Sequence, residues 1–186
     1  QNEDAAAENE RLRKLLKLSA KHEDFTYEAA RVTGAGSTTW ESTITLSKGS
    51  SSGIEKNDTV ITETGYLVGV VADLGSNWCT VITVLDPDLS MGALVYRTGD
   101  NAILNGDLTL MTEGKSRLSY LDSESKLIAG DEVLTSGKGG VYPSGLVVGQ
   151  VEGVFTDPSG MTRYAVVLPD VKPESLVQVF VIKDFD

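Results

Sequence analysis

The sequence predicts an all-β protein: a short amino-terminal helix followed by two small six-stranded β-barrels. Three observations carry that prediction. After Phe25, runs rich in Val, Ile, Thr and Tyr alternate with clusters of Gly, Pro, Asn, Asp and Ser, the pattern of short strands and tight turns. The segment Gly130–Val151, which reads GDEVLTSGKGGVYPSGLVVGQV, has a looser copy at Asn57–Val71: Asp58 answers Asp131, Gly65 answers Gly145 and Gly69 answers Gly149. Each copy ends in a strand interrupted by a glycine, and glycine inside a strand marks a bulge, a bend or a close backbone approach, the devices that let a sheet curl shut.

Residues 3–21 are rich in Ala, Glu, Leu, Lys and Arg and contain no Gly or Pro, so segment 1–24 reads as a helix. In one heptad register Asn9 and Leu16 fall at a and Leu12 at d, the pattern of the end of a coiled coil that serves self-association. Twelve strands follow, at 28–34, 43–48, 59–62, 66–74, 79–85, 91–97, 101–105, 116–121, 132–136, 146–155, 162–168 and 176–183. In the last of these Val177, Val179 and Val181 share a face. Asp86-Pro87-Asp88, Thr98-Gly99-Asp100-Asn101 and Asp157-Pro158-Ser159-Gly160 are chain reversers. Gly65, Gly69, Gly137, Gly139, Gly140, Gly145 and Gly149 are the expected structural glycines of the repeat. A nested arrangement is expected, with one discontinuous barrel from 28–49 plus 122–186 and the other from 58–121. The alternative is two consecutive barrels divided near residue 98.

A net charge of −11 disfavours nucleic-acid binding, which needs a basic footprint. No run of apolar residues is long enough to span a bilayer, and a chain that starts inside a charged helical pattern reads as a fragment whose membrane anchor lies elsewhere. One cysteine, Cys79, excludes an intrachain disulfide and a multi-cysteine zinc site, and its apolar setting predicts a buried thiol.

Catalytic candidates are few. His22, the only histidine, lies in the helical segment, so a Ser-His-Asp triad on barrel loops is not expected. Gly34-Ala35-Gly36-Ser37-Thr38 lacks the lysine and the following helix of a phosphate loop, and Ser136-Gly137-Lys138-Gly139-Gly140 again opens no helix. Trp40, Tyr66, Tyr142 and Phe155 sit at turns or strand ends, where core or edge packing is expected of them and a partner contact is the other reading. No metal and no cofactor is implied, and the chain reads as a scaffold. Two other classes stay open: a degenerate protease domain of chymotrypsin-like two-barrel architecture, and a peptidoglycan-binding module.

Gly130-Asp131, Val133, Thr135-Ser136-Gly137, Gly139-Gly140, Tyr142-Pro143, Gly145 and Gly149 match a signature of the form G-D-x-V-x-T-S-G-x-G-G-x-[FY]-P-x-G…G-x-V, with support from Glu8-Asn9, Leu12-Arg13, Leu15-Leu16, Leu85-Asp86-Pro87-Asp88 and Leu118-x-Tyr120-Leu121. On those residues the chain resembles the extracytoplasmic part of the MreC family of bacterial rod shape-determining proteins. The resemblance implies a non-enzymatic scaffold of the lateral cell-wall elongation machinery, attached to the cell membrane by a single-pass anchor. It also implies a homodimer or higher assembly, and partners that include MreD, transpeptidases of the penicillin-binding protein 2 class and RodA.

Overall fold

The computed structural model describes residues 25–185 except Thr39 and Ser123, together with Ala5. The rest of the expected helix, including Asn9, Leu12 and Leu16, lies outside the described residues. Twelve strands are present: β1 (Thr26–Ser37), β2 (Ser42–Leu46), β3 (Thr59–Ile61), β4 (Leu67–Leu74), β5 (Cys79–Thr83), β6 (Ser90–Val95), β7 (Asn101–Asn105), β8 (Ser116–Leu121), β9 (Glu132–Thr135), β10 (Val147–Thr156), β11 (Arg163–Pro169) and β12 (Gln178–Asp184). One short helix, α1 (Leu108–Met111), was not expected; Asp107 caps it by accepting hydrogen bonds from Thr109 N and Leu110 N.

The strands close into two antiparallel six-stranded barrels. An outer barrel runs β1-β12-β3-β4-β5-β2, and an inserted barrel runs β10-β11-β8-β7-β6-β9. This differs from the expected division: residues 59–83 belong with β1 and β2, and residues 132–169 belong with β6 to β8. Nor does a boundary near residue 98 separate the barrels, because that residue lies in the turn between β6 and β7 of one barrel.

The physical reason is an exchange of strands between the repeats. Gly69 pairs with Thr83 and Gly149 with Pro169, and each ladder then carries the same irregularity, between Val71 and Asp73 and between Val151 and Gly153. Val60 pairs with Gly69 and Val133 with Gly149. Val60 then pairs with Val181 on its other side, whereas Val133 pairs with Val95. The last strand of the second repeat, β12, therefore completes the barrel of the first, and β6 completes the barrel of the second. Local alternation cannot reveal such an exchange, because it depends on pairing between residues distant in sequence.

Gly69 and Gly149 are where the ladders come closest. A Cβ on Gly69 would collide with Ile82 O and lie 2.8 Å from Thr83 Cα; on Gly149 it would collide with Leu168 O and lie 2.8 Å from Pro169 Cα. Near each, the starts of β4 and β10 lie side by side through a parallel bridge between Tyr66 and Val147. Leu67, Val68, Leu146 and Val148 are all buried there. The crossing after β5 is pinned on both sides. Buried Asp86 accepts from Ser42 N at 2.9 Å and from Asp88 N at 2.8 Å, and Ser116 Oγ donates to Val84 O at 2.6 Å.

In β12 the expected single apolar face proves to be two. Val177 precedes the strand and is exposed, while Val179, Phe180, Val181 and Ile182 are all buried. The outer side of the strand is covered in part by Tyr27, whose ring meets Phe180 edge-on at 6.4 Å. Cys79 is buried as expected, and burial pushes its thiol up to about 11.

Candidate functional site

A groove of about 510 Å³ lies on the inserted barrel between α1 and the β10–β11 hairpin. Bulges shape it. The irregularity at Gly153 in β10 leaves a backbone without a Cβ beside the Phe155 ring, which approaches to 3.3 Å of where that Cβ would lie. Phe155 stacks on Tyr164 at 5.6 Å and 29°, and the Arg117 guanidinium lies over the Tyr164 ring at 4.1 Å from its centroid. Phe155 is 49 % exposed, so this aromatic pair is half open to solvent.

The basic residues of the groove are held in ion pairs, Lys115 within it and Arg117 with Asp157, 3.9 Å away and outside the lining. Lys115 Nζ lies 3.0 Å from a Glu152 carboxylate oxygen and 3.8 Å from Glu113, contacts that raise its pKa. Arg117 Nε donates to Ser119 Oγ at 3.0 Å, and Ser119 Oγ donates to Asn105 Oδ1 at 2.9 Å. No described side chain here is a nucleophile held by a base, and among the described residues no group of three His, Cys, Asp or Glu is placed to hold a metal ion.

On the neighbouring strand, Tyr120 adopts a left-handed conformation with φ of 64° and is 77 % exposed. Leu118 and Leu121, three residues apart, both face the core, and Ala165 and Arg163 pair with them. The extra residue in β8 is a bulge, and it turns Tyr120 outward. Trp40, at the tip of the β1–β2 hairpin, is also exposed. Core or edge packing was expected of Trp40 and Phe155; Phe155 does pack at the sheet edge, on Tyr164, while half open to solvent, but Trp40 is exposed, since aromatic character at a turn does not say which way the ring points. Tyr66 and Tyr142 are half-buried and pack on the core.

The repeat also duplicates an aspartate turn. Asp131 Oδ2 accepts from Ile128 N at 2.9 Å, and Asp58 Oδ2 accepts from Glu55 N at 2.8 Å. Val151 N then donates to Asp131 O and Val71 N to Asp58 O. The carboxylates differ in their partners. Arg97 grips Asp131 with Nε at 2.6 Å and Nη2 at 2.9 Å, and this guanidinium holds the Asp131 carboxyl below its usual range. No ion pair reaches Asp58 among the described residues, and burial pushes its carboxyl up to about 6.

Of the glycines singled out from sequence, Gly65, Gly137, Gly139, Gly140 and Gly145 have positive φ, and Gly69 and Gly149 make the close approaches described above. The groove and the aspartate pair went unread. Asp131 lay in the quoted repeat, but its partner Arg97 carries no local signal.

A family model described as "Rod shape-determining protein MreC, barrel core" matches residues 32–183. The cell shape-determining protein MreC of Listeria monocytogenes is 31% identical over 186 residues, an alignment covering 97% of this chain and 61% of that protein. The Bacillus subtilis protein is 29% identical, with 94% and 63% covered. The chain thus spans a little under two thirds of the length of these relatives. Among solved structures, one of MreC has a TM-score of 0.82 at 24% identity, covering 96% of this chain and 98% of that one. The Listeria protein has a TM-score of 0.75 at 29% identity, with 98% and 89% covered. A structure of the complex between penicillin-binding protein 2 and MreC from Helicobacter pylori shares the fold, with a TM-score of 0.64 at 17% identity, covering 86% and 99%. No helix among the described residues is long and apolar enough to cross a membrane. With the family model matched across both barrels, the chain belongs to the MreC family of rod shape-determining proteins.

Proposed function

We propose that this chain is a non-enzymatic scaffold of the bacterial lateral cell-wall elongation machinery, which maintains cell shape by self-association and by positioning enzymes of peptidoglycan synthesis. The observation that carries this reading is the groove on the inserted barrel. Its basic residues are held in ion pairs and its aromatic pair is half open, so it offers a surface to a partner instead of a reactive group to a substrate. The paired barrels are read as chymotrypsin-like in architecture but without a catalytic set.

The partner best supported is a transpeptidase of the penicillin-binding protein 2 class, by analogy with the H. pylori complex. MreD, RodA and a second copy of the chain, through Asn9, Leu12 and Leu16, complete the proposed assembly. In this reading the portion is extracytoplasmic and attached to the cell membrane through an anchor outside this sequence.

Sedimentation equilibrium on this chain and on a version starting at Phe25, followed by capture of the transpeptidase ectodomain, tests the proposal. Helix-dependent self-association and capture that Phe155→Ser abolishes are expected, as is Leu12→Asp with Leu16→Asp weakening association while the barrels stay folded. Monomers throughout and no capture would overturn the reading.

A further inference from the structure

We infer that Lys183 is a shared cation, held by Glu28 while the Asp58 carboxyl is protonated and drawn to Asp58 when that carboxyl ionises, so that one proton sets the charge network linking β1, β12 and the turn before β3. The inference goes beyond the scaffold reading and does not rest on it.

The duplicated barrels supply the template. Val95 pairs with Val133 and Arg97 follows two residues later; Val181 pairs with Val60 and Lys183 follows two residues later. Lys183 therefore occupies in the outer barrel the place that Arg97 occupies in the inserted one. Their backbone contacts agree as well, since Arg97 Nη2 donates to Lys126 O at 2.9 Å and Lys183 Nζ donates to Ser52 O at 3.2 Å. Both carbonyls belong to the segment leading into the aspartate turn.

The two cations part company at the carboxylate. Arg97 grips Asp131, whereas Lys183 Nζ donates to Glu28 Oε1 at 3.2 Å. Glu28 already has a cation, Lys48 Nζ at 2.7 Å, which is the main cause of its lowered pKa. Glu28 thus holds two ammonium groups while Asp58 holds none. Once Asp58 ionises, moving Lys183 leaves Glu28 paired and pairs a carboxylate that otherwise stands half-buried with a single backbone donor.

The lysine stem passes over Gly53, where a Cβ would lie 3.5 Å from Cδ and 3.6 Å from Nζ, and its charge already acts on Asp58. The groups that face Asp58 are Glu55 on its own turn, Lys183 from β12, and Cys79 from β5, whose raised thiol stays neutral. Glu28 and Lys48 act through Lys183. The step moves one proton from the Asp58 carboxyl to solvent and breaks no covalent bond. Lys183 on Glu28 is the arrangement of the protonated carboxyl.

The test is an NMR titration of the intact chain between pH 4 and 8, following the Asp58 and Glu28 carboxyl carbons and the Lys183 ammonium. Asp58 should titrate with a midpoint of about 6, and the Lys183 ammonium chemical shift should follow that transition. Glu28→Gln should release Lys183 and lower the Asp58 midpoint by about one unit, and Lys183→Met should raise it, as expected for a cation gained or lost within a few ångströms. In Asp58→Asn, which keeps the bond from Glu55 N, the response of Lys183 near pH 6 should vanish. A Lys183 signal that is flat through the Asp58 midpoint, or that still responds in Asp58→Asn, would overturn the proposal, as would an Asp58 midpoint indifferent to Glu28→Gln.

Discussion

Replacing Gly149 with alanine tests both the closest contact in the sheet and the exchange of strands between barrels. The added Cβ would collide with Leu168 O and lie 2.8 Å from Pro169 Cα, both backbone atoms of β11 that no rotamer change can move aside. The strands must separate by roughly 1 Å to reach ordinary contact, and the bond from Asp170 N to Val148 O, 3.0 Å long, lies at that point. Losing about two ladder bonds costs about 2 kcal/mol. Overpacking adds about 1–3 kcal/mol, and the lower entropy of the unfolded alanine chain returns about 0.5–1 kcal/mol. The net loss is about 3 kcal/mol, or about 6–12 °C in Tm for a chain of this size.

Two probes read the result. Circular dichroism follows both barrels, whereas the only tryptophans, Trp40 and Trp78, report on the outer barrel, at the β1–β2 hairpin and just before β5. Since β6 and β12 are exchanged, weakening the inserted barrel should lower the tryptophan midpoint by the same amount as the dichroism midpoint. Gly139→Ala is the control: it has φ of 89° and open space around it, so backbone strain alone should cost about 1–2 kcal/mol. A Gly149→Ala loss below 1 kcal/mol would refute the steric argument. An unmoved tryptophan transition beside a shifted dichroism transition would refute the coupling.

Arg97→Met should weaken the fold at neutral pH and flatten its acid limb. Arg97 depresses the Asp131 pKa, so this stabilisation is present above the unfolded carboxyl value and lost as pH falls through the folded one; Tm measured from pH 2 to 7 checks it. Tyr120→Gly should raise stability by about 0.5–1 kcal/mol in urea denaturation, since relief of about 1–2 kcal/mol of left-handed strain is partly offset by the greater entropy of the unfolded glycine chain. Cys79 should resist a thiol reagent at pH 8 until the protein unfolds, because the thiol is buried and its pKa is raised to about 11; rapid labelling of the folded chain would place it outside the core.

The strands were legible because each is written in local terms, by alternation between turn residues. Their division between barrels was not. Asp86-Pro87-Asp88 reads as a reversal that should return the chain to its own sheet, yet it carries the chain to the other barrel, held by contacts from Ser42 and Ser116 that lie far away in sequence. The glycines at 69 and 149 marked a close approach, and that inference needed only their place inside a strand. The groove needed more. Phe155, Tyr164 and Arg117 come from three strand segments, and nothing in the pattern of any one of them sets the outward stacking of the other two.

The exchange also explains why the repeat is hard to see as a complete unit. In a simple tandem duplication each barrel could drift as a whole, but here β6 and β12 must each fit a barrel built mainly from the other repeat. Close backbone contacts are therefore preserved in pairs: Gly69 with Gly149, and the hydrogen bonds of Asp58 with those of Asp131. Side chains that reach beyond the ladder were free to diverge. An arginine fork binds both oxygens of one carboxylate and lowers its pKa, while a lysine offers a single centre on a flexible stem that a neighbouring glutamate can divert. The same backbone thus carries an aspartate held below its usual carboxyl range by an arginine in one barrel and one raised to about 6 by burial in the other, where the basic residue two positions past the matching strand pair is engaged by a glutamate instead.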